Sequence, residues 1–451
     1  ISTWPATSPM AETLIGRNGH TPAEGTAVEP PWPPPVDARA YHGPAGEFVR
    51  AIAPQTEADP VGILAVLLSG CGNALDRHIY CDVSGKRHEL RANVALVGPT
   101  ALGRKGTAQA VAEALLEEAT PHWLRRRKFS GLSSGEGLIW AVRDPLVKQE
   151  PIRDKDKTIL RYQEVVEDAG ESDKRLWVVE EEFASVIKVL SREGNTLSTI
   201  VRNAWDGNPL RSLTRNPYGT DEAHVTIVGH ITPVELAQHL TSTEAANGFA
   251  NRFLWLLVRK AREIEDDDAG LDRGVLNYYG TLLGDVLEEW RERPGRLRRD
   301  DEARTLWRQV KPTLERRPAG LVGAVTARAT QQVIRLSAIY AALDVSARIA
   351  RVHLEAALAL WQYAEDSVRC IFGDTTGDPV IDRIIVALRE RPRTSTELRN
   401  LFSRNLPQLE DTLELMEGWG WIVGEQIRTG KPGKPPTVWR LVAPGPAGEG
   451  A

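Results

Sequence analysis

The stretch Val94–Thr107, VALVGPTALGRKGT, decides how the chain is read. An apolar run of β-branched residues ends in glycine, passes through a short turn and enters a helix-forming segment. That order reads as a strand, a glycine loop and a helix. The loop is close to the phosphate-binding pattern G-x-x-x-x-G-K-[ST]. Gly98 and Gly103 have the required spacing, but Arg104 stands where the lysine is expected, and Lys105 and Thr107 are each displaced by one residue, Arg104 and Gly106. Such a loop works by turning backbone N–H groups toward phosphate oxygens at a helix N-terminus. Glycine permits the close approach. The reading assigns Gly98, Gly103, Arg104, Lys105, Gly106 and Thr107 to ATP binding, with the Thr107 hydroxyl on Mg2+.

The segments downstream supply the other parts that a phosphate-loop ATPase needs. RLWVVEEEF is a buried strand ending in Glu180, Glu181 and Glu182. A carboxylate at such a strand end holds the metal and another polarises water. Glu180 is expected in the first role and Glu181 in the second. HVTIVGHIT is a third strand, ending in His230 and Thr232; His230 is expected to sense the terminal phosphate. ANGFANRFLWLLV places Arg252 just before a fourth strand, the position of an arginine finger directed at a neighbouring subunit's nucleotide. Apolar strands alternating with helices indicate a mostly parallel α/β sheet.

The chain has 451 residues and a net charge of -5, so nucleic-acid contacts must come from local basic patches. Its cysteines, Cys71, Cys81 and Cys370, form no C-x-x-C and imply neither a disulfide framework nor a zinc site, as fits a reducing cytoplasm. The apolar run VGILAVLLSGCG from Val61 is too short to cross a bilayer and reads as a buried helix. No membrane association is expected.

The domains divide as follows. Residues 1–42, rich in Pro, Gly, Thr and Ala, read as a flexible tail. Residues 43–264 form the phosphate-loop core with N-terminal helices, with a charged loop or hairpin inserted at 146–175. Residues 265–374 read as a purely helical lid. Residues 375–443 run helix, helix, helix, strand, turn, strand, the order of a winged helix. The helix after the glycine loop is expected to use Thr107 as its N-cap. Candidate DNA contacts are Arg211 and Arg215 before the His230 strand, Arg428, Lys431, Lys434 and Arg440 in the wing, and the run Arg125–Lys128.

Taken together, GPTALGRKGT, LWVVEEEF, IVGHIT, GFANRFLWL and TARATQQVIRLSAIYAAL resemble the helicase-like P-loop ATPases of the AAA+/RecA-like class found in phages, plasmids and integrative elements. The segment TARATQQVIRLS is also similar to the lid helix of minichromosome-maintenance helicases. In those the first arginine is a second nucleotide sensor, which maps onto Arg328; Arg335 lies on the same helix face. The resemblance covers residues 45–370 and, loosely, the winged helix. Glu180 stands where that class has Asp. It implies a ring-forming, hexameric, ATP-driven DNA motor for replication of a mobile element, with a primase as possible partner. A DNA-binding initiator or loader that uses ATP as a switch is the alternative.

Overall fold

The computed structural model describes residues 32–212, 214, 217–240, 244, 247–264, 270–318, 320–373, 379–402, 409–418, 421–427 and 436–442. Two helices open the described chain, α1 (Gly43–Ile52) and α2 (Pro60–Ala74), followed by strands β1 (Ile79–Val83), β2 (Lys86–Glu89) and β3 (Asn93–Val97). Helix α2 starts on Pro60 with Asp59 as its cap, and all its residues after Pro60 are buried. It is the buried helix expected from the apolar run at Val61. The glycine loop leads from β3 into α3 (Lys105–Ala119) and α4 (Pro121–Arg127), then the short β4 (Lys128–Phe129) and α5 (Gly135–Trp140). The inserted charged segment is an antiparallel hairpin of β5 (Leu146–Arg153) and β6 (Ile159–Asp168). Next come β7 (Arg175–Glu180), α6 (Phe183–Leu190), α7 (Leu197–Asp206), and the two-residue strands β8 (Leu210–Arg211) and β9 (Gly219–Thr220). Strand β10 (His224–Ile231), α8 (Pro233–His239) and β11 (Phe253–Leu257) follow.

Five of these strands form an all-parallel sheet in the order β11–β3–β10–β7–β4. Strands β3, β10 and β11 are buried along their whole length, which accounts for their continuous apolar sequences. The chain leaves β3 for the far edge, returns through β7 and β10, and then crosses to the other side of β3. The loop after β3 therefore sits at a reversal of strand order, where ligands bind in open parallel sheets. Val94, Leu96, Trp177, Val179, Val228, Leu254 and Leu256 join one continuous apolar core with α2 and α3. On the opposite face, a Cβ at Gly229 would run into the Phe183 ring of α6. Glycine there lets the α6 aromatic lie flat on the sheet.

The segment read as purely helical contains strands. Helix α9 (Arg273–Glu292) is followed by β12 (Gly295–Arg299), α10 (Asp301–Leu314), α11 (Gly320–Thr326), α12 (Ala329–Leu343), β13 (Arg348–Ile349) and α13 (Arg351–Phe372). Strands β12 and β13 complete a second sheet with the first two strands, in the order β13–β12–β1–β2. The sequence GRLRR carries one apolar residue, Leu297, so neither strand periodicity nor hydrophobicity announces it. Helices α12 and α13 share the core of α1 and α2, so the helical segment and the sheet are packed as one body. Residues 33–42, read as part of the tail, are partly built in: Ala40 is buried, and its carbonyl accepts a 2.6 Å bond from the Tyr340 hydroxyl.

At the C-terminal end lie α14 (Pro379–Glu390), β14 (Arg393–Thr394), α15 (Ser395–Asn400), α16 (Leu409–Gly418), β15 (Ile422–Gln426) and β16 (Thr437–Leu441). The strands form an antiparallel sheet in the order β14–β16–β15. Ile384, Leu398, Leu413, Met416 and Trp439 make a separate apolar core. Thr394 caps α15 in a capping box with Glu397. No described helix is long and apolar enough to cross a membrane.

Candidate functional site

Helix α3 begins at Lys105, two residues before the expected cap Thr107. Its N-cap position is Arg104, held in the left-handed region (φ 44°), with no side-chain cap. The first turn of a helix leaves backbone donors without intrahelical acceptors. Among the described residues the amides of Lys105, Gly106 and Thr107 have no acceptor. Asp59 caps α2, Ser134 caps α5 and Thr232 caps α8, whereas α1, α4, α6 and α12 lack a side-chain cap as α3 does. The uncapped terminus lies directly over the carboxyl end of β3, with the positive end of the helix dipole turned outward.

The glycines hold the loop in shape. A Cβ on Gly98 would overlap the Val258 carbonyl oxygen, and one on Gly103 would lie 2.8 Å from the Pro99 oxygen. The Gly98 amide donates to the Ile231 carbonyl (3.1 Å) and the Lys260 amide to the Leu102 carbonyl (2.8 Å), tying the loop to the strands on both sides. Arg104 does not enter this cradle. Its guanidinium pairs with Glu57 at 2.5 Å, and Glu57 also holds Lys260 at 2.7 Å. The side chain assigned to phosphate by the sequence reading is instead a tether of the loop. Lys105 does face the cradle: its ammonium donates to the carbonyls of Gly98 (2.6 Å) and Pro99 (3.3 Å). Partial burial lowers its pKa, an effect opposed by the charge of Glu235.

His230 lies one strand away. Register pairs it with Leu96, so both side chains leave the sheet on the α2–α3 side. It is 3% exposed, and its Nε2 has no hydrogen-bond partner. Burial, and secondarily the Lys105 charge, push its pKa down to about 4, so the ring is neutral at pH 7. A buried nitrogen without a partner costs free energy unless a ligand or water completes it. Thr232, the other polar residue of this strand end, caps α8 in a capping box with Glu235.

Glu180 closes β7 in register with Gly229, on the sheet face opposite His230. It is buried, and its Oε1 accepts a 2.6 Å bond from the Leu132 amide. Glu181 and Glu182 are exposed at the mouth of α6. Strand β10 separates the acidic strand from the loop strand. Lys105, Thr107, Glu180, Glu181 and His230 thus gather at one edge, the carboxyl ends of three parallel strands.

Arg252 and Arg328 lie elsewhere. Arg252 precedes β11, so it stands at the amino ends of the strands, a strand length (roughly 17 Å by the usual rise) from the cradle. It is not a projecting finger: it is 4% exposed, pairs with Asp206 at 2.6 Å and bonds the Gly248 carbonyl. Arg328 also reaches Asp206, at 3.4 Å. Arg335, fully buried, donates to the Trp205 carbonyl (2.7 Å) and lies 3.5 Å from the centre of its ring. The expected common face of Arg328 and Arg335 is thus the face on Trp205. The sequence reading missed the two residues that organise these cations, Trp205 and Asp206; "AWDG" at the end of α7 carries no motif that signals it. Arg252, Arg317 and Arg328 line a cleft of about 590 Å³.

The basic patches are mostly internally paired. Arg211 pairs with Asp221 at 2.9 Å, Arg125 pairs with Glu117, Lys128 pairs with Glu113 at 2.5 Å, and Arg440 pairs with Glu425 at 3.3 Å. Arg127 is buried against the carbonyls of Arg175 and Ala141. Arg215, Arg428, Lys431 and Lys434 lie outside the described residues.

One further cluster of metal-ligating types is present, His42, Asp344 and His353. His353 accepts the Ala350 amide at Nδ1 (2.9 Å), so its Nε2 carries the proton and donates to Asp344 (3.0 Å). His42 bonds the same carboxylate oxygen at 2.7 Å. The arrangement is a hydrogen-bonded clamp joining α1 to α12 and α13. No protein-family model matches the chain, and no curated protein matches it.

Proposed function

We propose that the chain is an oligomeric P-loop ATPase with an AAA+/RecA-like core, working on DNA as an ATP-driven helicase or translocase, with a C-terminal winged helix. The observation that carries the reading is the convergence at one sheet edge of an uncapped helix N-terminus, Lys105 and the partnerless buried nitrogen of His230. Three free amides and an ammonium fit a phosphate group, and His230 offers the further polar contact. The order of three helices with a small antiparallel sheet at residues 379–442 supports the winged helix.

In this reading Lys105 exchanges the carbonyls of Gly98 and Pro99 for phosphate oxygens. Thr107 and Glu180 would hold Mg2+, which would supply charge neutralisation on the phosphates. The exposed Glu181 accepts the proton of the attacking water. His230, neutral at pH 7, orients that water or the terminal phosphate through Nε2. Arg104 stays on Glu57 and shapes the loop.

The test is Lys105→Ala, assayed by binding of a fluorescent ATP analogue and by phosphate release. Both are expected to disappear; hydrolysis retained at wild-type rate refutes the site. Strand displacement on forked DNA tests the motor: ATPase activity without unwinding or stimulation by DNA refutes that part.

A further inference from the structure

The chain is acidic overall, yet one surface of the second sheet is strongly basic. Register sets two rows across its outer face. Tyr80 pairs with Arg296 on one side and Glu89 on the other. In the next row Asp82 pairs with Arg87, and Arg298 pairs with Arg348. The inner face carries Ile79, Cys81, Leu297 and Ile349, all buried. Arg87, Arg296, Arg298 and Arg348 are all exposed.

These arginines differ from those of the helices. Arg351 pairs with Glu355 and Arg369 with Glu365 one helical turn away. On the sheet face the one exposed carboxylate, Asp82, lies 3.8 Å from Arg296. Glu89 is buried and bonded to Arg91, and it lies 3.8 Å from Arg87. The guanidinium groups of Arg298 and Arg348 have no hydrogen-bond or ion-pair partner among the described residues, and the two residues stand opposite each other in register. Like charges directly opposite across a sheet are destabilising. The pair gains from a polyanion that lies over both.

We propose that this face, β13–β12–β1–β2, binds the phosphate backbone of a nucleic acid. Arg87 lies over the Tyr80 ring, 3.8 Å from its centre, so the aromatic is covered and unavailable for base stacking. Recognition is therefore through phosphates and independent of sequence. The inference goes beyond the nucleotide site and stands apart from it, so its failure and that of the ATPase reading are separable.

The experiment is fluorescence anisotropy of labelled single-stranded and duplex oligonucleotides, without nucleotide, across 50–200 mM salt. Full-length Arg298→Gln/Arg348→Gln is compared with wild type, Lys105→Ala and Arg298→Lys/Arg348→Lys. Two lost phosphate contacts reduce the salt slope by roughly 1.4 for a single strand and 1.8 for a duplex, and weaken single-strand binding roughly 25-fold at 0.1 M salt. The lysine pair retains both charges and is expected to restore the slope, and Lys105→Ala is expected to bind as wild type. Unchanged affinity in the glutamine variant overturns the proposal. So does weaker binding with an unchanged slope, or no recovery with lysine. Heparin provides the remaining arm: loss of heparin binding with full retention of oligonucleotide binding would assign the face to another polyanion and overturn the nucleic-acid assignment.

Discussion

His230 gives the sharpest test of the cradle. The charged imidazolium is penalised by burial and by Lys105, so the folded protein holds this ring at about 4 against an ordinary value of 6.5. Between those values the unfolded chain binds more protons than the folded one. Stability from this residue is therefore fully present above pH 6.5 and is lost as pH falls toward 4. The whole shift is worth about 3 kcal/mol, and about 2 kcal/mol of it is lost between pH 7 and pH 5. His230→Gln removes the titration. Urea unfolding of wild type and variant at both pH values isolates it, because His88 and His224, whose pKa values are also lowered by burial, contribute to both proteins. The variant is expected to lose about 2 kcal/mol less than wild type on going to pH 5. Equal losses refute the placement. NMR titration of the ring in Lys105→Met adds a directional check. The pKa is expected to rise when the lysine charge is removed and to stay below 6.5, since burial is the larger cause.

Gly98→Ala puts a methyl into the Val258 carbonyl oxygen, and the crowded loop is expected to cost about 1–3 kcal/mol and to abolish nucleotide-analogue binding; an unchanged melting temperature would refute the tight approach. Asp206→Ala removes the shared carboxylate of Arg252, Arg328 and Lys86 and leaves the buried Arg252 without its counter-ion. A loss of about 3–5 kcal/mol is expected in denaturant unfolding, whereas Arg211→Ala at an exposed pair is expected to leave the midpoint almost unmoved. If Arg328 serves the nucleotide of a neighbouring copy in a ring, equal mixtures of inactive Lys105→Ala and Arg328→Ala proteins are expected to recover about a quarter of wild-type ATPase; no recovery refutes the shared site.

The parallel sheet was legible because its strands are buried on both faces and therefore apolar along their length. The strand ends followed from the polar residues that interrupt them, Glu180 and His230. The loop's chemistry was less legible. Sequence spacing made Arg104 look like a phosphate ligand, because a linear pattern cannot show that its guanidinium turns back to Glu57, 47 positions earlier in the chain. Helix α3 starts at Lys105 although its first turn lacks a preferred capping residue. Cap preference pointed to Thr107, but the left-handed turn at Arg104 sets the boundary. Strands β12 and β13 were missed for another reason. Strand β12 takes its order from pairing with β1 and β13 from pairing with β12, and their exposed arginines carry no hydrophobic alternation.

The position of the cations along the strand axis bears on how the parts work together. Lys105 and His230 belong to the carboxyl edge of the sheet, and Arg252, Arg328 and Arg335 to its amino edge. An arginine side chain reaches a fraction of the roughly 17 Å between them, so no single nucleotide meets both sets within one chain. At the amino edge, Arg252 and Arg335 are committed to Asp206 and Trp205, and their burial makes them a fixed base. Arg328, with 27% of its side chain exposed and a longer contact to Asp206, is the member free to change partners. A phosphate brought to the cleft competes with Asp206 for Arg328 alone, at the cost of one long, part-buried ion pair. The same phosphate would have to break a buried pair to recruit Arg252. If the amino edge senses a neighbouring copy's nucleotide, Arg328 is the residue that answers and Asp206 sets its threshold.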